Sequence, residues 1–268
     1  MNTTAQTPAT EAARWPGWVH PRGTVAIVTG AGSGIGQATA ILAAQQGLTV
    51  AAWDINLDGA QRTVDQAEEA SSSIMPFVAD VADSAAVQSA MQATTEQLGP
   101  PTLLVNNAGP AALGTNLDFG QAVDAALGSV EKVSEAFLAA NPGPGASVVN
   151  ISAVSGSVTG GTGNDPPGFG WYAAAKAGIL GYTRWCATEL ATTCRFNAIA
   201  PGGPIETPRN RAFLDSPGMA ERIRRNPMRR PGTAAELAAG ILFLWSPAAS
   251  YVNGALLVID GGLTLTGG

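Results

Sequence analysis

A tyrosine and a lysine, Tyr172 and Lys176, occur four residues apart in the run Trp171-Tyr172-Ala173-Ala174-Ala175-Lys176, ahead of an apolar, helix-favouring stretch from Ala177 to Leu190. On a helix that spacing puts both side chains on one face, a turn apart, so an ammonium can sit beneath a phenol. A free phenol with a pKa of about 10 carries protons poorly at neutral pH; a fixed cation stabilises the phenolate and brings the pKa toward the working range. Tyr172 could then pass a proton to or from a substrate oxygen. The same spacing also arises by chance on helices that do no chemistry, so the choice falls to the rest of the chain.

Near the other end, the β-branched run Thr24-Val25-Ala26-Ile27-Val28 leads into Thr29-Gly30-Ala31-Gly32-Ser33-Gly34-Ile35-Gly36. A buried parallel strand, a glycine-rich turn and a helix start let the backbone approach a pyrophosphate, whose charge meets N–H groups and the positive helix end. A glycine turn can also exist without a ligand. A second apolar run, Leu48 to Trp53, ends at Asp54, about 20 residues beyond the glycines, where a carboxylate accepts hydrogen bonds from an adenosine ribose and repels a 2′-phosphate. No Arg or Lys stands in the glycine turn or directly after Asp54. The expected cofactor is therefore NAD rather than NADP. The competing role for Asp54 is to cap the helix that starts near Leu57.

The elements that must carry these residues follow from the apolar pattern. Further strands are expected near Ser73 to Val78, Thr102 to Asn106, Ser147 to Ile151, Arg195 to Ala198 and Ala255 to Ile259. Helices are expected near Gly34 to Gln46, Leu57 to Ala70, Ser84 to Gln97, Phe119 to Ala139, Tyr172 to Thr192 and Ala234 to Trp245. This alternation predicts a Rossmann-like α/β fold, a doubly wound parallel sheet of about seven strands with helices on both faces. Ligands bind such sheets at the carboxyl ends of the strands. There lie Asp80-Val81, Asn106-Asn107-Ala108-Gly109, Ser152 to Gly156 and Pro201-Gly202.

The 268 residues, 46% hydrophobic and 13% charged, suit one large domain over 23–268 behind a tail at 1–22, either flexible or docked through Trp15-Pro16-Gly17-Trp18. A net charge of −6 gives no basic footprint for nucleic acid or an anionic membrane, which leaves small molecules as the expected partners. The first 19 residues lack a leader pattern and no apolar run is long enough to span a bilayer, so a soluble cytoplasmic protein is expected. Two cysteines, Cys186 and Cys194, and one histidine, His20, offer neither a disulfide framework nor a metal cluster.

Taken in order, these motifs resemble the short-chain dehydrogenase/reductase family over roughly Gly23 to Gly262. The resemblance is carried by Thr29, Gly30, Gly34 and Gly36; by Asp80; by Asn106 to Gly109; by Tyr172 and Lys176; by Asn197, Pro201 and Gly202; and by Asp260-Gly261-Gly262. It implies that NAD lies across the strand ends, with its pyrophosphate on the turn that includes Ser33 and Ile35 and its ribose on Asp54. Asp80 and Val81 would flank the adenine, with Asn107, Ala108, Gly109, Pro201 and Gly202 along the cofactor. Lys176 would hold the nicotinamide ribose and favour the phenolate of Tyr172 while hydride passes between the nicotinamide and a carbinol carbon.

Two positions depart from the family. The serine that usually follows the fifth strand is replaced by Ala153 in Asn150-Ile151-Ser152-Ala153-Val154-Ser155. Ser155 is the preferred substitute if the chain stays extended, with Ser152 next. The asparagine often found in the helix before that strand is Ala126 here. Such groups polarise the substrate and relay its proton, each by roughly a few kcal/mol in a water-poor site. The Gly/Pro-rich stretch Ser157 to Gly170 is expected to form a pocket wall, and 206–230, with Arg222, Arg224, Arg225, Arg229 and Arg230, a substrate lid. Those arginines either meet an acidic substrate or form a solvated helix face. The resemblance also implies a homotetramer, with a dimer as the fallback.

Two function classes follow. One is an NAD-dependent oxidoreductase interconverting a secondary alcohol and a ketone. The other is a dinucleotide-binding sensor or subunit with little turnover. A variant of the first reduces an imine or an activated alkene.

Overall fold

The computed structural model describes residues 20–110, 116–159, 168–208, 210–214 and 217–266. The expected sheet is present: β1 (Val25–Thr29), β2 (Thr49–Asp54), β3 (Ile74–Val78), β4 (Leu103–Asn106), β5 (Ser147–Ile151) and β6 (Arg195–Pro201). Two short strands, β7 (Ile205–Glu206) and β8 (Gly232–Thr233), pair only with each other, and β9 (Leu256–Ile259) completes the main sheet. Its order is β3-β2-β1-β4-β5-β6-β9 and its neighbours are parallel. The strand order reverses between β1 and β4, the place where a crevice opens in such sheets.

The apolar runs read as they do because both faces are covered. Alternate residues of one strand enter different cores. Ala26 and Val28 of β1 pack with α1 (Gly34–Gln45), while Ile27 faces α3 (Ser84–Leu98) across the sheet. Between α1 and α3 in sequence, α2 (Leu57–Gln66) runs beside β3. Beyond β4 come α4 (Phe119–Val123) and α5 (Ser129–Ala139), then α6 (Val154–Ser157) and α7 (Gly170–Glu189) after β5. Between β6 and β9 lie α8 (Arg211–Leu214), α9 (Pro217–Arg225) and α10 (Ala234–Trp245). Leu237, Ile241 and Leu244 of α10 join the α1 core, and Phe137 of α5 and Cys186 of α7 join the other.

Two helices differ from expectation. The stretch from Phe119 to Ala139 is not one α-helix: a π turn over Asp124–Gly128 separates α4 from α5. A π turn widens the helix locally, and here it presents Ala125 and Ala126 to the cleft described below. The second helix stops at Gln66 and continues as a 3₁₀ segment over Glu68–Ser73, where Glu68 takes a positive φ of 50°.

A buried polar chain ties the two halves of this frame. Asn106 Nδ2 donates to Ser134 Oγ (3.0 Å) and Asn150 Oδ1 (2.8 Å), and Asn150 Nδ2 donates to Thr183 Oγ1 (2.9 Å). It links α5, β4, β5 and α7, so α7 is registered against the sheet by directional bonds as well as by packing. Replacing Asn150→Ala leaves buried partners unsatisfied and should cost about 2 kcal/mol, read as a lower midpoint in urea unfolding; an unchanged midpoint would remove the chain from the forces holding α7.

Candidate active site

A cleft of about 610 Å³ opens at the carboxyl ends of the strands, over the reversal between β1 and β4. On one side it is lined by Gly30, Ser33, Gly34 and Ile35. Gly30 and Gly34 take φ values of +67° and +57°, which L side chains rarely adopt. A Cβ on Gly36 would lie 2.7 Å from Asn107 Nδ2, with the Gly30 carbonyl closer still. Ser33 is the N-cap of α1 but makes no side-chain capping bond, and no acidic residue stands in the first turn. The helix thus presents uncapped N–H groups and its positive end toward the cleft. That is the donor set a pyrophosphate requires.

Thr29 holds this turn against the Asn-Asn-Ala-Gly stretch. Its Oγ1 accepts from the N–H of Asn107 (2.9 Å) and of Ala108 (3.0 Å) and donates to the Val105 carbonyl (3.1 Å). Asn107 Nδ2 returns a bond to the Thr29 carbonyl at 2.9 Å. Asn107, Ala108 and Gly109 line the cleft directly beyond.

Asp54 also lines the cleft, and its carboxylate is fixed by two backbone donors: Gly32 N–H to Oδ2 (2.8 Å) and Asn56 N–H to Oδ1 (2.9 Å). It does not cap α2. That role belongs to Asn56, whose side chain accepts from Gly59 N–H at 3.2 Å. Each carboxylate oxygen keeps a further lone pair for a ribose hydroxyl. Asp80 and Val81 line the same end, with the Asp80 carboxylate accepting from Ala82 N–H at 3.0 Å.

Tyr172 and Lys176 stand across the cleft on the first turns of α7. The Lys176 ammonium lies 5.7 Å from the centroid of the Tyr172 ring. Its Nζ donates to the Ile151 carbonyl at 2.8 Å, and Ser152 Oγ donates to the Lys176 carbonyl at 2.8 Å. The phenol ring stacks on Phe169 at 5.1 Å and meets the edge of Trp171 at 5.6 Å.

The two serine candidates are placed differently from the sequence expectation. Ala153 is still extended (φ −160°, ψ 154°), but α6 begins at Val154, so strand alternation ends before it can carry Ser155 back to the face of Ala153. Ser155 is buried and is not among the residues lining the cleft. Ser152 lines it, with its hydroxyl directed to the α7 backbone. The turn of α6 is pressed onto α7: a Cβ on Gly156 would lie 2.7 Å from Ala173 O, Ala177 N and Lys176 Cβ.

Pro201 lines the main cleft, whereas Gly202 borders a smaller cavity of about 80 Å³ next to it. Of the lid segment, Thr207, Pro208 and Asn210 reach the cleft. Arg224 and Arg225 pair with Glu221, and Arg230 pairs with Glu236, as on a solvated face. The Arg230 guanidinium and the Thr233 N–H hold the Glu236 carboxyl down at about 2. Most of the expected Gly/Pro-rich wall, 160–167, lies outside the described residues, as does Trp15 to Trp18. Sequence reasoning missed Trp171, Ile151 and Ile205 as lining residues. Only Trp171 carried a signal, its position beside Tyr172.

The family model described as enoyl-(acyl carrier protein) reductase matches residues 30–264. The chain is 38% identical over 250 residues to 3-oxoacyl-(acyl-carrier-protein) reductase FabG of Thermotoga maritima, covering 91% of this chain and 98% of that protein. The chain belongs to the short-chain dehydrogenase/reductase family. It is 36% identical over 257 residues to the levodione reductase of Leifsonia aquatica, covering 89% of this chain and 93% of that one. An actinorhodin polyketide ketoreductase variant solved with NADPH superposes with a TM-score of 0.77 at 28% identity, covering 90% of this chain and 97% of the other. Family membership makes the protein an oxidoreductase that works with a nicotinamide dinucleotide, and the glycine turn has the room and donors to hold one.

The Gly36→Ala substitution should weaken binding of either reduced nicotinamide dinucleotide, NADH or NADPH, about tenfold or more, the cost of overpacking a rigid backbone contact. Fluorescence titration checks this, with unchanged far-UV circular dichroism as the control for folding; an unaltered affinity would mean the turn is not the pyrophosphate cradle.

Proposed function

We propose that this short-chain dehydrogenase/reductase interconverts a secondary alcohol and a ketone with NAD(H), using Tyr172 to carry the proton of the reacting oxygen. The observation that carries this is the joint placement of the Tyr172–Lys176 pair and the glycine turn around one cleft. When bound, the dinucleotide supplies or accepts hydride. Gly30, Ser33, Gly34 and Ile35 hold its pyrophosphate, Asp54 its adenosine ribose, and Asp80 and Val81 its adenine. Asn107, Ala108, Gly109 and Pro201 lie along its length, while Gly202 is set behind them against Val154 and Asp260. Lys176 anchors the nicotinamide ribose and, as a cation near the phenol, favours its ionised form. Tyr172 takes the hydroxyl proton as the carbinol carbon loses hydride, and returns it in the reverse direction.

Asp54 is the reason for preferring NAD. Its carboxylate would face a 2′-phosphate with like charge at short range. The ketoreductase solved with NADPH marks the other choice within this fold. The substrate end of the cleft is apolar around Ala125, Ala126, Ile151 and Trp171, which suits a small or medium, largely apolar alcohol.

A second role, reduction of an activated alkene or an imine, is favoured by one feature: Ala153 offers no hydroxyl to polarise a plain ketone, and the nearest candidate, Ser152, is engaged with the α7 backbone. The same feature sustains the low-turnover dinucleotide-binding sensor or subunit as a reading from another class.

A homotetramer is proposed as the working assembly, supported by Trp185, 58% exposed and stacked on Tyr182 along α7, and by Phe119, 61% exposed on α4. The free thiols of Cys186 and Cys194 accord with a cytoplasmic setting.

The test is NADH and NADPH binding to wild type and to Asp54→Ser, followed by turnover of wild type and Tyr172→Phe on alcohol and ketone panels. Wild type should prefer NADH by about tenfold or more, and Asp54→Ser should narrow the gap. Tyr172→Phe should bind NADH normally and lose turnover by about 10²–10⁴-fold. Equal affinity for both dinucleotides would overturn the NAD assignment, and a fully active Tyr172→Phe would overturn the proton role.

A further inference from the structure

The two ends of the lid segment are fastened to the body in different ways. At its start, β7 pairs with β8, Gly232 N–H donates to the Pro204 carbonyl at 3.0 Å, and Asn210 Nδ2 donates to the Ile205 carbonyl at 3.1 Å. At its finish, just beyond α9, stands Asn226, 4% exposed between the exposed residues Arg225 and Pro227. A buried amide in such a stretch is held by specific partners. Its Nδ2 donates to the Asp260 carbonyl at 2.7 Å, and its Oδ1 accepts from Met228 N–H at 2.9 Å. Its own carbonyl accepts from Arg229 N–H at 2.8 Å, in a turn where Arg229 takes a positive φ of 53°. The closing Asp260-Gly261-Gly262 turn is shaped to receive this amide. A Cβ on Gly261 would lie 2.6 Å from Asn226 Oδ1. The Asp260 carboxylate holds the turn itself, accepting from Gly262 N–H (2.8 Å), Thr264 N–H (2.8 Å) and Thr264 Oγ1 (2.7 Å). Asp260 is also seated against Gly202, where a Cβ would lie 2.5 Å from Asp260 Cβ. A cavity of about 80 Å³ is bordered by Ile205, Asn226, Gly232 and Asp260, so the amide's bonds hold this end beside a gap that packing leaves unfilled.

We propose that Asn226 is a positioning residue: seated in the Asp260-Gly261-Gly262 turn, it pins the far end of the lid and so sets where Thr207, Pro208 and Asn210 stand in the cleft wall. Its effect on turnover rests on the alcohol/ketone activity proposed above. The path between the two places is continuous. The turn pinned by Asn226 leads into β8, β8 pairs with β7, and Thr207 follows β7. Thr207 in turn reaches the glycine turn, with its Cγ2 3.4 Å from where a Cβ on Gly34 would lie. With Asn226 released, the segment is held at its β7–β8 end and gains arrangements in which the wall is out of place. Substrate binding then has to select the ordered arrangement, which lowers apparent affinity by the fraction of molecules that hold it. The chemistry of a correctly bound substrate is unaffected, because Asn226 does not line the main cleft.

Trypsin digestion of the full chain, with fragments identified by mass spectrometry, tests the anchor without reference to activity. Wild type is compared with Asn226→Ala, Asn226→Asp and Gly261→Ala. Cleavage after Arg211 and Arg222, inside the lid, should be about tenfold faster in each variant. Cleavage after the exposed Arg62 of α2 and Arg184 of α7 should keep its wild-type rate. Asn226→Asp retains an acceptor for Met228 N–H and loses the donor, so its change isolates the bond to the Asp260 carbonyl. Combining Asn226→Ala with Gly261→Ala should add little to either alone, since both disrupt the same contact. On secondary alcohols with NAD, the variants should raise the alcohol KM several-fold and nearly keep kcat. Unchanged lid cleavage, or equal acceleration at Arg62 and Arg184, would overturn the anchor. Faster lid cleavage with an unaltered KM would overturn its role in placing the cleft wall. A wild type that turns over no alcohol would instead count against the proposed activity, and the digestion would still decide whether Asn226 pins the lid.

Discussion

Two hydrogen bonds cross between the end of β5 and the start of α7, and the position of Lys176 in the cleft depends on them. The Lys176 ammonium donates to the Ile151 carbonyl, and the Ser152 hydroxyl donates to the Lys176 carbonyl, both at 2.8 Å. A lysine is a flexible point charge that can wander over many rotamers. Here its head is tied to a strand end and its backbone to the first residue beyond that strand. The charge is thereby held near the Tyr172 ring, and any cation effect on the phenol requires that fixity. The close seating of Gly156 on α7 adds a steric constraint to the same junction.

The glycine-turn side of the cleft is built on a matching logic. Thr29 ends β1 and ties the turn after it to the turn after β4, so the glycine loop and Asn107 are fastened together. Asp54, at the end of β2, is fastened to that loop through Gly32. Three adjacent strand ends are thus joined by bonds that satisfy buried backbone groups while leaving the cleft side open. The buried chain from Ser134 to Thr183 carries the register across to α7. Burial of both faces of the sheet supplies the rigidity, and these few polar bonds supply the alignment.

Much of this was legible before any coordinates. A parallel sheet covered on both faces writes its strands as continuous apolar runs, so β1 to β6 and β9 fall within a few residues of expectation. The glycine turn, Asp54 and the Tyr172–Lys176 pair announce themselves because the chemistry proposed for them needs fixed residue types at fixed spacing. Features that arise from contacts between distant segments did not. Nothing local marks the π turn at Asp124–Gly128, and the helical turn at Val154 that carries Ser155 out of the cleft depends on packing against α7. Ser152 reads as a free hydroxyl until α7 is placed beside it. That Ala126 shares a buried cluster with Trp171 is likewise invisible until α7 is placed.

The central claim is that Tyr172 and a dinucleotide in this cleft act together on one carbinol carbon. The most direct measurement supplies NAD with secondary alcohols deuterated at the carbinol carbon and follows deuterium into the reduced cofactor by mass spectrometry. The expected result is labelled NADH from wild type with at least one alcohol, and none from Tyr172→Phe although the dinucleotide still binds. A bound cofactor that acquires no deuterium from any alcohol, or the same labelling by both proteins, would contradict it.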